Sequence, residues 1–183
     1  MKVDGKIIDR SKATAGLGYT KTTMPQNDAH TLSIEKSSPD TSWGAVYARF
    51  MQKASDIGES GTGMVITREI LNAKKKYSVG DRVKIRLTVK ADRDYDFVQI
   101  IDKRAACLEP VNQLSGYKNG YYITPKDFST NYYIDKLAKG THIIETEYVV
   151  DRVGTYETGT CVIQCAYAPE FSARAKAKVL EVE

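Results

Sequence analysis

Between Val83 and Lys90 the chain alternates without a break: Val83, Ile85, Leu87 and Val89 are apolar, and Lys84, Arg86, Thr88 and Lys90 are polar. Successive side chains of an extended strand point to opposite faces, so this run gathers its aliphatic groups on one side and its cations on the other. A helix would scatter the same residues around its axis. The segment is therefore read as a half-buried strand of an antiparallel sheet, one face on a core and one in water. The pattern returns near the end, where Ala173, Ala175, Ala177 and Val179 alternate with Arg174, Lys176 and Lys178.

Turn residues punctuate the rest at short intervals. Asp92–Asp94 divides the first run from Tyr95–Ile101, its expected hairpin partner. Met64–Leu71, Gly120–Thr124, Asn131–Ile134 and Thr160–Ala166 are further strand candidates, as is a long strand in which Ile144, Tyr148 and Val150 share a face. Arg104–Gly120 reads as a long irregular connection. Twelve tyrosines against four phenylalanines and one tryptophan, with frequent Val, Ile and Thr, favour strands over helices. The expectation is an all-β fold, a two-sheet antiparallel β-sandwich of immunoglobulin-like architecture. Its expected core includes Val83, Ile85, Leu87, Val89, Phe97, Ile144, Tyr148 and Val150.

Two segments are less plain. Residues 1–29 are rich in turns and poor in apolar mass, and read as a leader with short strands at Gly5–Asp9 and Gly18–Thr22, followed by one domain over 30–183. Within that domain His30–Lys36 alternates, with Leu32 and Ile34 on one face. Ser42–Gln52 fits two states. Trp43, Val46, Tyr47, Phe50 and Met51 have helical spacing, while the aromatic content and flanking turn residues suit a buried strand.

Chemistry is excluded motif by motif. There are three cysteines and two histidines and no Cys-x-x-Cys, so a zinc site is not expected. Cys161 and Cys165 would face one side of a strand about 13 Å apart, too far to bridge. That leaves buried thiols, or Cys107 paired with one of them. Asp92, Asp94 and Asp96 open like a calcium loop, but Phe97 and Lys103 stand where such a loop needs Gly and Glu. Gly58, Gly61 and Gly63 precede a strand, whereas a phosphate loop precedes a helix. No Gly-x-Ser-x-Gly and no nucleophile–base pair is present, so neither an enzyme nor a cofactor is expected. The net charge of +4 divides into +7 over residues 1–90 and −3 over 91–183, which describes two differently solvated halves. Lys74–Lys76 is too short for a nucleic-acid stripe. Met1–Gly5 opens no signal peptide, and no stretch is long enough for a membrane helix.

Seven segments, taken in order, carry a likeness: Leu32–Lys36, Ser42–Tyr47, Gly80–Leu87, Asp94–Val98, Cys107–Val111, Leu137–Thr141 and Tyr167–Phe171. Together they resemble the C-terminal macroglobulin-like domain of bacterial alpha-2-macroglobulins of Bacteroides type. Gly16–Tyr19 resembles the stretch just before that domain. The resemblance implies a strand at Ser42–Gln52. It also implies a non-catalytic domain of a longer protease-trapping protein in the cell envelope, periplasm or extracellular space. Such a domain packs beside the thioester-bearing domain. Its partners would be the other domains of that chain, and target proteases indirectly, with no nucleic acid and no membrane insertion; this piece would be monomeric. Cys107-Leu108-Glu109 matches the start of the thioester motif Cys-x-Glu-Gln, but Pro110 replaces the glutamine that would form the bond. The alternative is a free-standing adhesion or carbohydrate-binding module, whose sign would be an exposed aromatic platform. For either function the candidate contacts are Tyr117, Tyr121, Tyr122, Tyr132 and Tyr133, on the stretch with the weakest strand pattern.

Overall fold

The computed structural model describes residues 2–7, 21–25, 30–35 and 39–183. It divides into two units, 1–51 and 52–183. In the first, β1 (Lys2–Val3) pairs with β2 (Lys6–Ile7) and with β3 (Leu32–Ser33). The Asp4 carboxylate accepts the backbone N–H groups of His30 and Thr31, at 3.1 and 2.7 Å. Leu32 and Ile34 are both exposed. The expected strand at Gly18–Thr22 lies mostly outside the described residues, as does the end of Gly5–Asp9.

Ser42–Gln52 is neither the expected strand nor a helix. It has no regular structure, and Trp43 is 94% exposed and Met51 fully so. A strand needs a partner for its backbone groups, and none of the described strands pairs with it.

The second unit is the sandwich that the sequence predicts. One sheet has four strands: β5 (Met64–Ile70), β6 (Arg82–Ala91), β12 (Gly140–Val150) and β8 (Leu108–Pro110), in that spatial order. The alternating run is β6. Its Val83, Ile85 and Leu87 stand opposite Tyr148, Thr146 and Ile144 of β12, and these aliphatic groups are at most 3% exposed. On the wet face Arg86 and Lys84 both reach Glu145, at 2.6 and 2.7 Å.

The facing sheet has seven strands. β4 (Ser60–Gly61), β15 (Ser172–Ala175), β14 (Cys161–Cys165) and β7 (Tyr95–Lys103) run to β11 (Ser129–Leu137), β10 (Tyr121–Pro125) and β9 (Gly116–Lys118). A separate pair is formed by β13 (Gly154–Glu157) and β16 (Val179–Val182). Among the described residues, the helical geometry is a single turn at Ala54–Asp56. Gly63 holds the β4–β5 turn at φ +74°, and a Cβ there would collide with the Tyr95 hydroxyl. The glycines at 61 and 63 thus serve the turn by which the chain passes from one sheet to the other.

Four expectations need correction. Tyr95–Ile101 is not the hairpin partner of β6: β7 crosses to the facing sheet and pairs with β11 and β14, while β6 pairs with β5 and β12. Arg104–Gly120 is not irregular throughout, because β8 and β9 lie within it; each is three residues long, too short to show a period. The alternation from Ala173 does not run on to Val179. β15 ends at Ala175, and Val179 opens β16 and is 55% exposed. Phe97 is not core: it is 53% exposed, with φ +53°. That left-handed residue breaks the period of β7, so that Tyr95 and Val98, three apart, both face inward. The other seven expected core residues are buried.

Polar ties cross the core between the sheets. Thr130 and Tyr148 share a hydroxyl–hydroxyl bond of 2.9 Å, and Tyr132 and Thr146 one of 2.6 Å. The largest tie is Arg68 of β5, whose side chain is 1% exposed. Its guanidinium donates to Asp102 of β7 at 2.7 Å, to Thr158 Oγ1 at 2.6 Å, and to the carbonyls of Lys103, Gly159 and Lys176. A buried cation needs such a set of acceptors to offset its lost hydration.

Candidate functional site

The seven-stranded sheet has a second face, turned away from the core. Strand register sets what it carries. Tyr117 stands opposite Tyr122, Tyr122 opposite Tyr133, Tyr133 opposite Gln99, and Gln99 opposite Gln164. Directly opposed residues share a face, so this row crosses β9, β10, β11, β7 and β14 without a charge. The next row holds Thr124, Asn131, Ile101 and Val162, again opposite one another, and meets a charge only at Arg174 on β15. A sheet face exposed to water alone is usually charged, as the outer side of β6 is. Tyrosine and amide side chains with few charges are instead typical of interface cores.

The five sequence-nominated tyrosines divide by parity. Tyr117 is 76% exposed, Tyr133 is 38% exposed and Tyr122 is half-buried. Tyr121 and Tyr132 point the other way, at 8% and 1% exposure, and stack edge to face in the core at 5.6 Å. Burial pushes both hydroxyls up from their ordinary pKa, Tyr132 far more so. The outward three are thus free to meet a partner, while the inward two support the sheet beneath them. Tyr117 and Tyr122 meet at 5.1 Å with their ring planes 70° apart.

The hairpin bearing these rings is fixed from below by Arg104. Its buried guanidinium donates to the carbonyls of Leu108, Ser129 and Asp127 at 2.8–2.9 Å. It ties the end of β7 to β8 and to the β10–β11 turn. Sequence reasoning nominated the tyrosines for being clustered, and passed over Gln99 and Gln164. Their signal was available in the polar positions of Val98-Gln99-Ile100 and Ile163-Gln164-Cys165.

The other motifs have ordinary occupations. Asp92 accepts from Arg93 and from the Tyr95 hydroxyl, which hold its carboxyl down to about 2, and Asp94 accepts from the Lys139 N–H. Cys107, Cys161 and Cys165 are free and buried, and burial raises all three thiols. Such thiols are poor nucleophiles. Among the described residues, no cluster of three or more His, Cys, Asp or Glu could hold a metal, and no helix is long and apolar enough to cross a membrane.

The comparisons bear on the fold just described. No curated protein matches the chain at a significant level. Solved structures do. Native alpha-2-macroglobulin from Escherichia coli, spanning domain MG7 to the C-terminus, superposes with a TM-score of 0.62 at 19% identity, over 70% of this chain and 25% of that one. The trypsin-activated E. coli protein gives 0.59 at 20%, over 68% of this chain and 11% of that one. Salmonella alpha-2-macroglobulin reacted with methylamine gives 0.60 at 21%, over 69% and 10%. At these identities the likeness is one of fold, and the chain spans only a tenth to a quarter of the chains it matches. The model of the bacterial alpha-2-macroglobulin MG10 domain matches residues 49–170, about two thirds of the sequence. The chain therefore belongs to the MG10 domain family of bacterial alpha-2-macroglobulins.

Proposed function

We propose that this domain carries no chemistry of its own and acts inside a longer, protease-trapping alpha-2-macroglobulin chain by docking onto neighbouring domains. The observation that carries this reading is the uncharged row Tyr117–Tyr122–Tyr133–Gln99–Gln164 on a face that shields no core. The seven sequence motifs support a C-terminal position in a Bacteroides-type parent of the cell envelope, periplasm or extracellular space. The solved relatives support a parent many times longer than one domain. Intramolecular docking faces are modest and partly polar, and tyrosines with amides fit that description. A carbohydrate platform is less well served, because stacking on a sugar wants a flat ring surface, and Tyr117 and Tyr122 stand 70° apart.

Replacing Tyr117 and Tyr133 together with serine tests the reading. Both side chains are exposed, so the 183-residue chain should melt within a few degrees of its original temperature. In the longer chain the same pair should weaken docking by roughly tenfold or more, since aromatic anchors dominate such contacts. Calorimetry should then show the domain's transition, shifted upward by its neighbours in the intact parent, returning to the value of the isolated domain. A parent whose transitions do not move would contradict the reading.

A further inference from the structure

β9 and β10 are joined by two residues, Asn119 and Gly120, with φ +50° and +87°. Positive φ at both central positions marks a type I′ turn, whose twist suits a two-residue hairpin and which selects Asn-Gly. The register agrees: Lys118 stands opposite Tyr121 and Tyr117 opposite Tyr122. The dipeptide that suits this turn is also reactive. The backbone nitrogen after an asparagine can attack the side-chain carbonyl carbon and close a five-membered ring, and glycine, without Cβ, hinders that approach least. The chain has five asparagines, and Asn119 is the one followed by glycine. Their surroundings separate them further. Asn72 is held at both ends of its amide, donating to Arg82 O at 2.6 Å and accepting from Lys84 N–H at 3.0 Å. Asn112 accepts from Leu114 N–H and Asn131 from the Ser129 hydroxyl, and Asn27 lies outside the described residues. Asn119 is exposed, and its amide has no hydrogen-bond partner among the described residues. A Cβ on Gly120 would meet nothing within 4 Å, so the attacking nitrogen is open to solvent.

Ring closure needs the turn to open for a moment. β9 is three residues long and is the last strand of its sheet, bonded to β10 alone, so the turn opens by local fraying and not by unfolding. We propose that Asn119 is a site of spontaneous deamidation, and that the isoaspartate formed there releases β9 from its sheet. Hydroxide takes the proton of Gly120 N–H, and the nitrogen bonds to Cγ of Asn119. Nδ2 takes a proton from water, and ammonia leaves as the Cγ–Nδ2 bond breaks. Water then opens the succinimide at either carbonyl. Opening at Cγ gives aspartate and the original backbone. Opening at the main-chain carbonyl gives isoaspartate, which carries the chain through Cβ and Cγ. The two products act differently. Aspartate tolerates the left-handed conformation much as asparagine does. Isoaspartate adds a methylene to a loop whose length fixes the register. β9 has no second neighbour to keep it in place, whereas β10 is held by β11. Release of β9 takes Tyr117 off the sheet.

The test incubates the 183-residue chain in warm, mildly alkaline buffer, folded and in urea. The tryptic peptide Asn119–Lys126 is followed by mass spectrometry with electron-transfer fragmentation, which tells isoaspartate from aspartate. The expected result is conversion of amide to acid at Asn119, faster as pH rises and at no less than about a hundredth of the rate in urea, while Asn72, Asn112 and Asn131 stay intact. In the isoaspartate form, hydrogen exchange should be faster across Gly116–Lys118 and unchanged across Ser129–Leu137. Asn119→Asp adds the charge without the methylene and should exchange as the original chain does. Conversion more than about a hundredfold slower than in urea, or equally fast at Asn72, Asn112 or Asn131, would overturn the site. An isoaspartate form whose β9 exchanges no faster would overturn the release of the strand, and so would loss of β9 protection in Asn119→Asp, which would assign the effect to charge.

Discussion

Replacing Arg68 with methionine is expected to lower the unfolding free energy by about 3–5 kcal/mol, because it leaves the Asp102 carboxylate buried without its counter-charge. Asp102 is 1% exposed and receives Arg68 at 2.7 Å. Burial pushes its carboxyl up from the usual carboxylate range, and Arg68 pulls it back. Without Arg68 the folded-state pKa rises further above the unfolded one. A carboxyl raised in this way costs stability in full above its folded value, and that cost shrinks as pH falls below it and is gone below the unfolded value. The defect of Arg68→Met should therefore be largest near neutrality and shrink toward acid. Replacing Asp102 with leucine as well should restore most of the loss, since an apolar pair of similar volume leaves no buried charge. Urea midpoints across pH measure all three effects. A single variant with an unmoved midpoint would show that the guanidinium does not tie the sheets together.

Leu87→Ala should cost about 2–5 kcal/mol, the sum of lost transfer energy and an unfilled cavity. Leu87 is 1% exposed, in the centre of β6, with Ile144 opposite on β12. Both neighbouring strands, β5 and β12, hydrogen-bond to β6, so the backbone cannot easily collapse into the space. The denaturation midpoint should fall clearly while its slope stays unchanged. A variant that unfolds where the parent chain does would place Leu87 outside the core.

Both predictions show which parts of the fold were legible in the sequence. Leu87 was found from a two-residue period, because a long strand with one wet face writes its burial into polarity. Arg68 was not found. In sequence Ile66-Thr67-Arg68-Glu69 looks like a strand turning polar, and only the facing sheet reveals the acceptors that make burial of the arginine tolerable. Phe97 was misplaced for a related reason. Its position follows from a backbone dihedral, and alternation counts residues without seeing φ. Among the tyrosines, clustering was legible but facing was not. Tyr121–Tyr122 and Tyr132–Tyr133 are adjacent pairs, so one ring of each must point inward, and the register of a short hairpin decides which. Ser42–Gln52 resembles a strand by composition, yet composition supplies no partner for its backbone.

The central claim is that the outer face of the seven-stranded sheet, along the row from Tyr117 to Gln164, docks against the rest of a longer chain. Hydrogen exchange of the 183-residue chain, compared with that of the full parent and followed by mass spectrometry, addresses it most directly. The account predicts slower exchange in the parent for the peptides spanning Gly116–Pro125 and Ser129–Leu137, with the β6 core unchanged. Equal exchange of those peptides in both proteins would contradict it.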